Sequence, residues 1–314
     1  MSKMIKKWKS FEEQLDMLEN RGLIITDRDK VLKYLERIGY YRLSGYWYPF
    51  RKKTTFLDKK SDEFLDLTTF EQVINLYIFD KKLRLLVIDA IERIEMAIRV
   101  DVAYCLGVNH GLAYLDTKEL HGKFTKQIIN KGANKGKTQQ QVWIEKFNIA
   151  VRRNQKTDFV KHHIEKYDGN LPIWVAIELL DFGMISTLYS GLKKQDKDQI
   201  AVKYKVENGE IFAQWLRSLN HLRNIAAHHS RLWNSNIVDR SDAKTILPYA
   251  QLNNAKPFMY FCVMKQLLNV ICPHSKWGER VKELYSEFPI QNNSHVDVQQ
   301  TGSKEDWQLW ELWI

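Results

Sequence analysis

In the last third of this 314-residue chain, Arg223-Asn224-Ile225-Ala226-Ala227-His228 places a permanent cation, an amide and an imidazole within six residues. An imidazole titrates near neutrality and so takes or gives a proton at ordinary pH. A guanidinium is planar and always charged, and its fork of N–H donors matches phosphate oxygens. The pair suits RNA cleavage, in which the ribose 2′-OH attacks the adjacent phosphorus, loses its proton and builds charge on the phosphorane oxygens. Asn224 precedes His228 by one helical turn and is placed to orient the ring. No carboxylate cluster accompanies the set, which disfavours a two-metal nuclease and predicts a 2′,3′-cyclic phosphate product. By itself R-x4-H is a weak signal, since a surface Arg and a helix-flank His produce it without any chemistry.

The elements around these residues follow from periodicity. At 100° per residue, Trp215, Leu222, Ala226, His229 and Trp233 share a narrow sector of a helix expected over roughly 208–234, with Leu219 at its edge. That sector is the expected buried face, and it makes His229 a core histidine. Arg217, Asn224, His228 and Arg231 fall together on another side. Arg223 lies about 140° from His228 on an ideal helix, so the two meet one substrate only by a long reach or a distortion.

Capping patterns and only six prolines predict a mainly helical, all-α fold. Helices are expected from Ser10 to about Gly22 and from Thr26 to about Gly39. A long one opens at Thr68–Glu71 and runs to about Leu106, with Val87, Ile91, Ile94, Ile98 and Val102 forming one apolar stripe. Another starts at Thr138–Gln141 and carries Arg152, Arg153, Lys156, Lys161, His162 and His163 to a turn at Asp168-Gly169-Asn170. Pro172 suits a first helical turn, and further helices are expected at about 194–204, 256–271 and 277–287. Residues 1–66 read as an N-terminal helical and aromatic module, and 67–288 as a helical core with a basic insert near 118–137. Residues 289–314 read as a linker and a Trp-rich tail, whose Trp307, Trp310 and Trp313 should dock on the body or on another subunit.

Charge narrows the partners. Lys plus Arg number 48 against 38 Asp plus Glu, a net +10 that favours an anionic partner such as RNA. The Lys-rich insert offers Lys131, Lys135 and Lys137 to a phosphate backbone, with Arg152, Arg153 and Lys156 beyond it. Tyr40, Tyr41, Trp47, Tyr48 and Phe50 interleave with Arg42 and Arg51, followed by Lys52 and Lys53. They form either a stacking and phosphate-clamping surface or an aromatic plug that packs the N-terminal helices onto the core. Arg217 and Arg231 stand between phosphate contact and ordinary surface charge. Three cysteines without a C-x-x-C pair suggest neither disulfides nor a zinc knuckle, and adjacent His162 and His163 point apart, so no metal is expected. The basic start lacks the apolar core of a signal peptide, and Glu178 and Asp181 interrupt the most apolar stretch. A cytoplasmic protein with no membrane segment is the expectation.

Three ordered stretches resemble one family. RNIAAHHSRLWN at 223–234, IGYYRLSGYWYPFR at 38–51 and LPIWVAIELLDFGMISTLYSGL at 171–192 look like signatures of the Abi-like family, AbiD/AbiF type, of the HEPN superfamily. The resemblance covers roughly residues 10–290, without the basic insert and the Trp tail. It implies an all-helical HEPN core working as a metal-independent endoribonuclease in phage-defence abortive infection. It also implies a homodimer that pairs two R-x4-H motifs, no cofactor, and a structured small non-coding RNA as partner or restraint. By position, Arg223 and His228 match the catalytic pair and Asn224 the accessory polar residue. Two other functions compete: an RNA-holding module without turnover, and a helix-turn-helix at 10–39 that reads DNA. The second helix of that pair mixes acidic and basic residues and lacks the Asn, Gln and Ser of base readout.

Overall fold

The computed structural model describes residues 6–53, 60–290 and 296–314. Ser10 and Glu13 form a capping box that opens α1 (Phe11–Asn20), and Asp27 accepts the Lys30 N–H to open α2 (Arg28–Ile38). Gly39, at a φ of 89° that a side chain would strain, turns the chain straight into α3 (Tyr40–Trp47). A short antiparallel pair follows, β1 (Arg51–Lys53) with β2 (Lys60–Phe64).

Thr69 and Gln72 then cap α4 (Phe70–Gly107), the 38-residue axis of the molecule. Its expected stripe of Val87, Ile91, Ile94, Ile98 and Val102 is buried. Around it lie α5 (Gly122–Lys126), α6 (Gln139–Arg153), α7 (Asp158–Lys166), α8 (Ile173–Ala176) and α9 (Phe182–Gly191). The chain continues through α10 (Lys194–Lys203), α11 (Gly209–Ala227), α12 (Pro257–Ile271) and α13 (Trp277–Ser286). Helices α3, α8, α9, α11, α12 and α13 all pack on α4. Among the described residues the fold is all-α apart from one strand pair. No helix among the described residues is long and apolar enough to cross a membrane.

Two expected helices are interrupted, each for a local reason. The helix from Thr138 stops at Arg153 and restarts at Asp158. Asn154 Nδ2 donates back to the Ala150 carbonyl at 2.8 Å, and Thr157 Oγ1 donates to the Asn154 carbonyl at 2.7 Å, so polar side chains compete with the helix for its acceptors.

The motif helix ends at Ala227, seven residues earlier than the apolar pattern predicts. His229 sits at a φ of 57°, its N–H donates to the Ala226 carbonyl at 3.1 Å, and the Ser230 N–H donates to the Ile225 carbonyl at 2.9 Å. These paired bonds form a Schellman motif with histidine in the left-handed position that glycine usually takes. As a result His229 is exposed, and its expected place in the core is overturned, whereas Trp233 is buried by a loop rather than by a helix face.

The aromatic segment is mostly a plug: Tyr46, Trp47 and Phe50 are buried, while Tyr41 and Tyr48 reach solvent. In the tail, Trp307 and Trp313 are buried and Trp310 packs beside them. Trp307, Trp310 and Trp313 surround Phe258 of α12 with centroid distances of 5.0 to 6.2 Å. The tail therefore docks on the body of its own chain.

Candidate functional site

Helix α11 starts where the Asn208 side chain accepts the N–H groups of Glu210 and Ile211. Leu216, Leu219, Leu222 and Ala226 face the core. Asn220, Arg223 and Asn224, at steps of three and one, share a different face and line a cavity of about 740 Å³. The opposite wall is α6, which contributes Lys146, Ile149 and Arg153 at steps of three and four, along one side of two turns. The start of α9 closes a third side. Asp181 accepts the Met184 N–H at 2.8 Å, and Gly183 lets α9 come close to α11, since a Cβ there would stand 3.2 Å from Asn220 Nδ2 and from Asp181 Oδ1.

The electrostatics of this cavity are one-sided. Among the described residues, Lys146 and Arg153 have no carboxylate partner, and Arg223 Nη1 donates to Asn224 Oδ1 at 3.2 Å rather than to an acid. Asp181 is the single carboxylate among the described lining residues, and one of its oxygens is engaged as the α9 cap. Three cations thus converge from two walls with little built-in compensation.

His228 stands just outside. It is the exposed C-cap of α11, and its N–H donates to the Asn224 carbonyl at 3.0 Å. The Asn224 side chain holds Arg223, and its expected bond to the His228 ring is not formed. Arg223 and Asn224 are therefore brought together on the cavity, and His228 follows them at the rim of the helix end.

The other candidate residues divide between structural ties and exposed charge. Arg231 Nη1 donates to the Gly45 carbonyl and Arg42 Nη1 to the His229 carbonyl, so both bind the α3 segment to the loop after α11. Arg217 pairs with Asp239 at 2.6 Å and is not among the residues lining the cavity. Arg51 pairs with Asp62 at 3.1 Å and lies 6.0 Å from the Tyr48 ring centroid. Lys52 reaches Asp66 at 3.3 Å, and Lys137 reaches Glu145 at 2.6 Å. Lys53, Lys131, Lys135, Arg152, Arg153 and Lys156 are exposed, and of these Arg153 lines the cavity.

Sequence reasoning missed Lys146 and Asn220. Their signals were present, Lys146 seven residues before Arg153 and Asn220 three before Arg223, but neither spacing indicates which face another helix will leave open. Elsewhere, His110, Asp116 and Glu119 bring ligand-type atoms within 4.8 Å of one another. There Glu119 already accepts from Asn109 at 2.7 Å and from Lys193 at 3.2 Å, so the group is a self-satisfied polar turn.

A long axial helix, a motif helix packed on it and a cavity lined by Lys146, Arg153 and Arg223 define an all-α protein with a cationic cavity beside that helix. Residues 33–234 match the family of Abi-like proteins, and the chain belongs to that family. The matched span contains all three signature stretches and the whole cavity. Membership points to an abortive-infection role in phage defence. No curated protein and no solved structure gives a significant match.

Proposed function

We propose that this protein is a HEPN-type, metal-independent endoribonuclease of phage defence that binds a structured RNA and cuts RNA around Arg223 and His228. The observation that supports this reading is the end of α11. Arg223 projects into a cavity shared with Lys146 and Arg153, and the exposed imidazole of His228 follows about 7.5 Å further along the axis. His228 takes the 2′-OH proton, the O2′–P bond forms and the P–O5′ bond breaks, and the leaving 5′-oxygen takes a proton from water while the imidazolium returns its own to solvent. Arg223 stabilises the charge on the phosphorane oxygens. Asp181, already a helix cap, is the only carboxylate of the described lining, so the donor set favours proton transfer by imidazole over a two-metal mechanism.

A homodimer suits this arrangement, because a two-fold axis brings the His228 of one copy toward the Arg223 of the other and relieves their separation on one helix. The protein then acts in the cytoplasm, restrained by a small non-coding RNA until released. The deciding experiment is RNA turnover by purified wild type, Arg223→Ala and His228→Ala. Each variant loses about a hundredfold or more in rate with an unchanged unfolding midpoint. Equal rates in wild type and His228→Ala, or loss of wild-type activity in EDTA, defeat the proposal. Excess His228→Ala chains suppress wild-type cleavage if the site is composite, whereas a monomer that stays fully active excludes the dimeric site.

A further inference from the structure

The cavity at α11 carries two cations, Lys146 and Arg153, that the cleavage step does not use. We propose that it is a binding pocket for a nucleoside phosphate monoester, presented either as a free nucleotide or as the terminal nucleotide of an RNA. The cavity shares Arg223 and Asn224 with the cleavage site proposed above, and the inference deepens that reading from the rest of its lining.

At about 740 Å³ the cavity falls within the range that encloses small ligands, about 300 to 1,000 Å³. Lys146 and Arg153 come from one wall and Arg223 from another, and among the described residues none of the three has a carboxylate partner. Like charges gathered in a concave site repel one another unless an anion joins them. The N-terminus of α9 is not the receptor, because the Asp181 carboxylate caps it and would repel an anion there.

The number of cations selects the kind of phosphate. An internal phosphodiester offers two unbridged oxygens and one charge, and it continues into chain on both sides. A monoester offers three terminal oxygens and up to two charges, so it can use cations that converge from separate walls. The remaining lining provides for a nucleoside. Val142 and Ile149 give an apolar surface for a base, while Asn220 and Asn224 carry amide donors and acceptors suited to base edges or hydroxyls. Trp143 does not stack a base, since it is buried with Nε1 donating to the Met184 carbonyl at 2.9 Å.

The test is calorimetric titration of the full chain with adenosine 5′-monophosphate, uridine 5′-monophosphate, adenosine, and one short oligoribonucleotide with and without a 5′-phosphate. The phosphorylated probe of at least one pair should bind about tenfold or more tightly than its unphosphorylated counterpart. Tighter binding of the mononucleotides assigns the pocket to a free nucleotide, and tighter binding of the phosphorylated oligonucleotide assigns it to an RNA end. Lys146→Ala and Arg153→Ala, both at exposed positions that the fold tolerates, should each weaken binding by about tenfold, while Lys161→Ala on α7 leaves it unchanged. Equal affinity for phosphorylated and unphosphorylated probes, or unaltered binding by the Lys146→Ala, Arg153→Ala double variant, overturns the pocket. Failure of a wild-type protein that cleaves RNA to bind any phosphorylated probe defeats this inference alone. Nucleotide binding without any cleavage defeats the nuclease reading alone.

Discussion

The carboxylate of Asp80, on α4, accepts the backbone N–H of Trp233 at 2.7 Å, across 153 residues of chain. The same oxygen accepts the Leu232 N–H at 3.0 Å, while the other accepts the Tyr46 hydroxyl of α3 at 2.6 Å and pairs with Arg84. One buried carboxylate thus joins the axial helix, the aromatic segment and the loop that follows the motif helix. Arg42 and Arg231 make the same connection from the surface, through the carbonyls of His229 and Gly45. These contacts bring two of the three signature stretches, 38–51 and 223–234, together as two sides of a single junction at the end of α11.

Asp80→Ala should be among the most damaging single changes. It leaves the buried Arg84 without its carboxylate and strands two backbone N–H groups, a loss of about 3 to 5 kcal/mol. Asp80→Asn should cost less, because one oxygen still serves the loop while the amide N–H groups oppose Arg84 and Tyr46. Chemical denaturation measures both, and a drop below about 1 kcal/mol for Asp80→Ala would show that the junction is dispensable.

His229→Gly should stabilise the protein by about 0.5 to 1 kcal/mol. The left-handed backbone at φ 57° costs a histidine energy that a glycine does not spend, and the exposed ring loses little packing. His229→Ala should stay within about 0.5 kcal/mol of wild type, in contrast to the loss expected of a core histidine. A large destabilisation by His229→Ala would mean that the ring makes a contact needed by the fold.

Burial, with Asp196 adding to it against a smaller opposing effect of Lys203, pushes the Cys105 thiol up to about 11. The folded state therefore binds this proton more tightly than the unfolded state does. Stability from this group is complete below the ordinary thiol value of 9.0 and is lost as pH rises from there toward 11. Iodoacetamide should alkylate Cys105 in the folded protein more slowly than in the urea-unfolded chain at pH 8, with the rate climbing steeply above pH 9. Equal rates in both states at pH 8 would contradict the assignment.

The proposed RNA binding predicts an affinity that falls steeply with salt. Lys131→Ala and Lys135→Ala, at exposed positions, should each lower the log-log salt slope by about 0.7 to 0.9. Lys137→Ala should do less, because its ammonium is held by Glu145 at 2.6 and 2.7 Å. Filter binding between low and physiological salt measures the three slopes, and identical slopes in all variants would reduce the insert to a solvated segment.

The sequence determined by itself those features that local rules govern. Capping residues at Ser10, Thr69 and Thr138 start helices where the side chain reaches back to its own backbone, a contact that needs no other part of the chain. The α4 stripe is legible because a period of 3.6 residues buries one face whatever packs against it. Membership of the Abi-like family was legible in the order of three signatures, and Arg223, Asn224 and His228 are candidates by residue type and spacing alone. Tertiary structure decided the rest. The 3.6-residue pattern continues through His229 and Trp233, yet α11 stops at Ala227, because a Schellman turn forms there and Asp80 captures the next two free N–H groups. Likewise, Lys146 and Asn220 carry no mark that separates them from ordinary surface residues. They line a cavity only because Gly183 lets α9 approach α11 while α6 stands away, and that spacing is set by side-chain volumes on three helices distant in sequence.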